Sequence, residues 1–501
     1  MAKLEIGPWV SKLKDLSPTQ AAAIKKVTTV QRDYFRTNNG LSPFVYFFNR
    51  MREEIETGLV PMVLSALEDV GQPITDISNP TPPWRERVDG KIHFQLDPGH
   101  QVPALDSMLK TNRGIIKAAT NAGKTKIAAA WCALSGFKTL YLVPSRDVFY
   151  QAVESFRQDT NLTVGELIAG GKNNNTDADV VVALVTSICR RVNGVKKRVN
   201  DSGATKASSQ FENAAASFEA VIVDECHHAI AKTWRGVLKK LTSAHYRFGM
   251  SGTPWSKTTM HGKVKENLED RFYVTAAFGE IIYEIPNSVL IDRGWSARPS
   301  IFFIESYQPV FPDPTMRPEY REFKNERNAQ FYVAQVLYEE GIVLSESRNR
   351  AILEIAVDQL ERGNTCLILV DRLQQIELLD ELLKMANLHH EVIVGSAGRV
   401  DRNRRIDALE RFKSGETKIL LTTVLGEGVN IGELRSIIIA GGGKSSKKII
   451  QRVGRGLRKK GNGANTVEIF DFNDTGHKKL KKLSAERRQV YASEGFQIID
   501  V

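Results

Sequence analysis

The chain has 501 residues, 42% hydrophobic and 25% charged, with a formal net charge of +11. That length has room for roughly three domains, and the composition excludes a disordered or collagen-like chain. The positive balance favours an anionic partner, of which nucleic acid is the usual one. The four cysteines, Cys132, Cys189, Cys226 and Cys366, form no C-x-x-C pair, so there is no zinc framework and a reducing compartment is expected. The first residues lack the apolar core of a signal peptide, and no run approaches the ~20 apolar residues of a membrane span. The expectation is an intracellular protein that does not meet a membrane.

In chain order, residues 1–72 read as a small, mainly helical N-terminal domain. Ser17-Pro18 and Ser42-Pro43 each offer an N-cap serine followed by proline at the first helical position. Phe44, Tyr46, Phe47 and Phe48 suit core packing better than base stacking. Lys25, Lys26, Arg32 and Arg36 fit either a basic face for phosphates or a solvated helix. The Pro-rich stretch from Gln72 to Pro83 reads as a linker, taken as 73–89.

From residue 90 short apolar runs alternate with helical stretches. They are Gly114–Ala118, Thr139–Val143, Val180–Val185 and Ala220–Val223, then Thr365–Val370, Glu391–Val394, Lys418–Leu421, Ser436–Ala440 and Thr466–Phe470. This predicts an α/β protein with two tandem parallel-sheet domains, 90–307 and 329–474. A polar connector, 308–328, separates them, and 475–501 forms a basic C-terminal extension with Lys478, Lys479, Lys481, Lys482, Arg487 and Arg488. Arg190–Ser217 is polar and reads as an inserted loop.

Ala118-Ala-Thr-Asn-Ala-Gly-Lys-Thr125 follows a predicted strand and opens an apolar helix. That is the setting of a phosphate loop. Backbone N–H groups of Thr120, Asn121, Ala122 and Gly123 are placed to cradle phosphates, Lys124 to meet the β/γ-phosphates, and Thr125 to hold Mg²⁺. Val221-Ile-Val-Asp-Glu-Cys-His227 is an apolar strand ending in two acids. Asp224 suits Mg²⁺ and Glu225 the attacking water, as general base. His228 reads as structural.

Asp-Glu-Cys-His resembles motif II of the DExH group of superfamily 2 helicases, and other motifs of that group follow in order. Ser251-Gly-Thr253 resembles motif III, which links the nucleotide and nucleic-acid sites. Leu142-Val-Pro-Ser-Arg146 resembles motif Ia, and Thr186-Ser187 the next backbone-contacting element. Thr422-Thr423 with Gly426-Glu-Gly-Val-Asn430 resembles motif V, and Gln451-Arg-Val-Gly-Arg-Gly-Leu-Arg458 resembles motif VI. The resemblance implies two RecA-like domains and ATP with Mg²⁺ as cofactors. It places Gln451, Arg455 and Arg458 at the γ-phosphate, Gly428 at the nucleotide, and Gln101 at adenine. Arg146, Thr186 and Thr423 would grip a nucleic-acid backbone. Leu290–Pro299, Arg458-Lys-Lys and Val467–Phe472 are most similar to the UvsW-like group of phage branch-migration helicases and to related repair helicases. That implies branched or forked DNA as partner, a monomer, and work beside recombination or replication proteins. An RNA-remodelling motor, the motor subunit of a restriction system and a non-catalytic binding scaffold are the rival readings.

Overall fold

The computed structural model describes residues 2–32, 42–171, 174–189, 202–260, 263–306, 312–323, 325–394, 400–423, 434–442, 454, 457–461 and 463–501. The chain divides into two compact units. One comprises residues 1–256 and 266–286, the other residues 257–265 and 287–501.

The apolar runs of the first unit become a seven-stranded sheet. Its order is Val164–Leu167, Val180–Leu184, Thr139–Val143, Ala220–Asp224, Tyr246–Ser251, Arg113–Ala118 and Ile281–Ile285, with every pairing parallel. Thr139–Val143, Val180–Leu184 and Ala220–Asp224 are buried at each position. Both faces of the sheet are therefore covered, which is why these runs are continuous rather than alternating. On one face Ile115, Leu140, Leu142, Val181, Val221 and Val223 meet Val237, Leu238, Val274 and Phe278 from the flanking helices.

The N-terminal segment is small but not mainly helical. Helix Pro18–Val27 starts as expected, with a full capping box between Ser17 and Gln20. A second helix spans Val60–Asp69. The helix expected after Ser42-Pro43 is instead strand Phe44–Tyr46, paired with Thr29–Gln31. Phe44 and Tyr46 are exposed and Val45 is buried, a period of two that suits aromatic and β-branched residues. Phe47 and Phe48 do enter the core. Five more short strands form a sheet, and one of them, Asp76–Ser78, comes from the expected linker and pairs with Lys3–Glu5. The segment is tied to helix Leu268–Phe278: Phe47 packs on Phe272 and Tyr273, and Arg32 donates to Glu269 at 3.1 Å. A Cβ on Gly58 would lie 2.0 Å from the Thr275 carbonyl, so only glycine permits this approach. Arg32 is thus an internal ion pair rather than part of a phosphate-facing surface. Arg36 lies outside the described residues.

The second unit repeats the first. Its sheet runs His390–Ile393, Ile419–Thr422, Cys366–Leu369, Ser436–Ile439, Thr466–Asp474, Arg298–Ser306 and Gln497–Asp500, again all parallel. Taken in chain order, both sheets read third, fourth, second, fifth, sixth, first, seventh. The fold is thus α/β with tandem RecA-like sheets and a small N-terminal domain.

Two expected limits move. Arg298–Ser306 is the first strand of the second sheet, not the end of the first domain. The C-terminal segment supplies helix Lys478–Ser493 and the seventh strand, so it belongs to the domain rather than extending from it. Leu290–Pro299 accordingly lies in the second unit. In the C-terminal helix the four lysines are exposed, whereas Arg487 is buried and Arg488 pairs with Asp500. The expected polar loop at 190–217 includes helix Ser202–Ala214, which buries Phe211 and Ala207; residues 190–201 lie outside the description. Among the described residues no helix is long and apolar enough to cross a membrane.

Candidate nucleotide site

Parallel strands end at one edge of their sheet, so the loops that follow them gather there. Arg113–Ala118 leads into a loop and then helix Lys124–Leu134. Asn121 and Gly123 both take left-handed backbone angles, with φ of 74° and 75°. The loop closes on itself where Ala122 N–H donates to the Ala119 carbonyl at 3.2 Å. Gln101 braces it from outside. Its Nε2 donates to the Ala122 carbonyl at 3.1 Å, and its Oε1 accepts from Asp97 N–H at 2.9 Å. A Cβ at position 123 would lie 2.2 Å from that Nε2, a second reason for glycine there. Lys124 rests its ammonium on the Ala118 carbonyl at 3.4 Å.

Asp224 ends its strand and is buried. Glu225 follows with φ of 51°, a strained conformation for a non-glycine residue, and its N–H donates to Asp224 Oδ1 at 3.0 Å. Ser251 ends the neighbouring strand and donates to Glu225 Oε2 at 2.9 Å. His227 Nδ1 lies 3.3 Å from the same oxygen and 3.2 Å from Ser251 Oγ. With the serine proton committed to the carboxylate, Nδ1–H of His227 is the donor in both contacts. Burial pushes the Glu225 carboxyl up, but the hydrogen bonds from His227 and Ser251 and the charge of Lys124 outweigh it, holding the group well below the usual carboxylate range. Glu225 is therefore a fixed anion in a half-buried setting, able to orient a water molecule. His228 stacks on Trp234 at 5.2 Å, which suits its structural reading.

Thr125 and Asp224 offer a hydroxyl and a carboxylate, the hard oxygen donors that Mg²⁺ takes. No group of three or more His, Cys, Asp or Glu side chains among the described residues could hold a metal alone. One carboxylate and one hydroxyl, completed by nucleotide phosphates and water, is the donor set of a nucleotide-borne Mg²⁺. The residues present fit that ion.

Two models of protein families match in succession: the res subunit of type III restriction enzymes over residues 92–256 and the helicase conserved C-terminal domain over residues 347–460. The chain belongs to the superfamily 2 helicases. The DNA 3'-5' translocase XPB2 of Sulfurisphaera tokodaii is 23% identical over 422 residues, 78% of this helicase and 84% of the relative. The ATP-dependent DNA helicase uvsW of Enterobacteria phage T4 is 21% identical over 405 residues, 78% and 71% of the two chains. Among solved structures, the ATP-dependent type ISP restriction-modification enzyme LlaBIII bound to DNA covers 81% of this helicase and 31% of that chain, at a TM-score of 0.55 and 14% identity. Helicases of this family use ATP, usually with Mg²⁺, and bind nucleic acid.

The helicase assembles its expected residues unevenly. Lys124, Asp224, Glu225 and Ser251 come together at one sheet edge, with Glu225, Ser251 and His227 in direct contact. Along that edge Arg146 donates to the Ala169 carbonyl at 3.4 Å, and Ala169 N–H donates to Ser187 Oγ at 2.9 Å. Ala169 thereby joins the motif containing Arg146 to the turn carrying exposed Thr186. In the second unit Thr423 follows its strand and donates to the Ile393 carbonyl at 3.3 Å. Arg458 bridges to Ser296, and burial pulls its guanidinium below the usual value; its Nε has no hydrogen-bond partner among the described residues. Gly428, Gln451 and Arg455 lie outside the described residues. Motif reading missed His227 as a donor to Glu225. The sequence signal was its place two residues after that glutamate; Ser251, which touches both, comes from the next strand of the sheet.

Proposed function

We propose that this helicase couples ATP hydrolysis to the remodelling of branched DNA: forks, displacement loops and four-way junctions. The observation that carries the catalytic part is Glu225, held ionised by Ser251, His227 and Lys124 at the end of an acidic strand. In this reading Lys124 binds the phosphates, Thr125 and Asp224 hold Mg²⁺, and Glu225 orients the attacking water. The ion neutralises phosphate charge as it develops. Gln101 keeps the loop in its cradle shape and faces adenine. Arg455 and Arg458, with Gln451 and Gly428, complete the site at the γ-phosphate, so loss of that phosphate releases one grip. Arg146, Thr186 and Thr423 hold the backbone of the strand. Contacts of that kind carry no base information, so binding is strongly salt-dependent and weakly sequence-dependent.

The choice of DNA rests on the two relatives, a DNA translocase and a DNA helicase, and on the flanking segments similar to branch-migration enzymes. A panel of forks, four-way junctions, tailed duplexes and structured RNAs tests it by ATP-dependent remodelling and by stimulation of phosphate release. Junctions and forks should stimulate most. Equal or greater stimulation by structured RNA would overturn the DNA assignment and leave the ATPase reading intact.

A further inference from the structure

Core packing claims Phe47 and Phe48 of the aromatic run 44–48 and leaves the other two rings outside. Val45 and Phe47 are buried, and Phe47 meets Phe272 and Tyr273 at 5.3 and 5.0 Å between ring centroids. Phe44 and Tyr46 alternate with them along the chain and stay 41% and 56% exposed. Their centroids lie 6.5 Å apart with the planes tilted by 41°, near the outer limit of ring contact, so they cover one another little. The ribbon that carries them is braced from behind. Its buried residues pack with helix Leu268–Phe278, whose Val274 and Phe278 enter the core of the first sheet.

The surroundings are basic. Residues 16–32 and 42–52 contain Lys25, Lys26, Arg32, Arg50 and Arg52 and no acid. Arg32 is committed to Glu269, whereas Lys25, Lys26, Arg50 and Arg52 are exposed. Thr29 stands opposite Tyr46 across the ribbon and so shares its face, and the Thr29 hydroxyl donates to the Lys25 carbonyl at 2.6 Å. The last turn of helix Pro18–Val27 therefore comes up beside Tyr46. Arg50 and Arg52 flank Met51, itself 98% exposed, in the turn after strand Phe48–Asn49. Four exposed cations without an acid suit a polyanion better than a protein surface of mixed charge. A duplex keeps its base faces stacked on one another, so only an unpaired strand can use both the rings and the cations.

We propose that Phe44 and Tyr46 form a stacking platform for the bases of an unpaired DNA strand, with Lys25, Lys26, Arg50 and Arg52 meeting its phosphates. The inference rests on the branched-DNA reading above. The backbone grips at Arg146 and Thr186 leave the bases free, and the platform takes up two of them without reading their identity, because every base has a face to stack. An arm left unpaired at a fork or junction is thereby held to the first unit while the duplex is remodelled.

The test uses the full chain and fluorescence anisotropy on three labelled probes: a thymidine oligonucleotide, an abasic strand of the same length and a blunt duplex. The abasic strand keeps the phosphates and lacks the bases. The wild-type chain should bind the thymidine strand about tenfold or more tightly than the abasic one. The double variant Phe44→Thr/Tyr46→Thr, which removes the rings and keeps strand preference, should lose that margin. It should bind the abasic strand and the duplex as before, with an unchanged melting temperature. Phe44→Tyr/Tyr46→Phe, which keeps both rings, should bind like the wild type. A wild type indifferent to bases would overturn the platform. So would a threonine variant that keeps its preference for bases or weakens equally on all three probes. A wild type that bound none of the probes would instead overturn the nucleic-acid reading itself, and this inference with it.

Discussion

The same order of seven strands occurs in both units, yet the loops after their first strands differ. After the first strand of the first sheet comes Gly123-Lys124-Thr125. After the first strand of the second comes Tyr307-Gln-Pro-Val-Phe-Pro-Asp-Pro314, with no Gly-Lys pair. The units also use buried charge differently. In the second, Arg487 donates to Asp471 at 3.0 Å, to Asp474 at 3.0 Å and to the Phe472 carbonyl at 2.8 Å. Arg348 pairs with Asp474 and donates to the Ala440 carbonyl, and Tyr491 donates to Asp471 at 2.8 Å. Those charges are closed on one another and on backbone. In the first unit, among the described residues, the hydrogen bonds to Glu225 meet one carboxylate oxygen, Oε2, with the charge of Lys124 nearby. Buried charge that is fully answered supports a fold, whereas buried charge that is held but incompletely answered is suited to chemistry.

Three substitutions can break or sharpen that contrast. The largest effect is expected from Glu225→Gln, which should lower ATP turnover by about 10²–10⁴-fold while nucleotide binding persists. Phosphate release and direct binding measure the two; turnover near wild type would remove Glu225 from its role. Arg487→Met should destabilise the second unit by about 3–5 kcal/mol, because Asp471 and Asp474 lose their shared cation. Chemical denaturation reads this, and a loss near zero would mean the charge cluster is not closed as described. Ser251→Ala should cost about tenfold in turnover, the scale of one hydrogen bond to a charged group.

Ser251→Ala also carries a pH signature. The Glu225 carboxyl is depressed to about 2 from its ordinary 4.5. Its stabilising contribution is therefore complete above pH 4.5 and disappears as the pH falls through the folded value. Removing the serine donor should move the acid loss of stability and activity to higher pH. Acid titration followed by fluorescence and by turnover checks it; an unmoved acid limb would mean that Ser251 does not hold the charge.

Much of the candidate nucleotide site was legible because its groups are local in the chain. Arg113–Thr125 and Ala220–Glu225 each contain a strand, its end and the candidate reactive group within a short stretch, so pattern and placement coincide. Strand Arg298–Ser306 was not legible as the start of a domain, because its membership is decided by pairing with Thr466–Asp474, far along the chain. Gln497–Asp500 is too short to announce itself and is recruited by the edge of Arg298–Ser306. Phe44–Tyr46 carried a helix-start signal in Ser42-Pro43, but pairing with Thr29–Gln31 prevailed over that local preference.

By itself the chain of residues determined which groups are available: a Gly-Lys-Thr loop at a helix start, two adjacent acids at a strand end, a net positive charge, and apolar runs that must become buried parallel strands. Only the tertiary structure decided which groups meet. Contact between Glu225, Ser251 and His227 depends on strands from separate parts of the chain lying side by side in register. Short-range sequence pattern records the strands but not their neighbours, because neighbour choice is set by burial and pairing summed over the whole sheet.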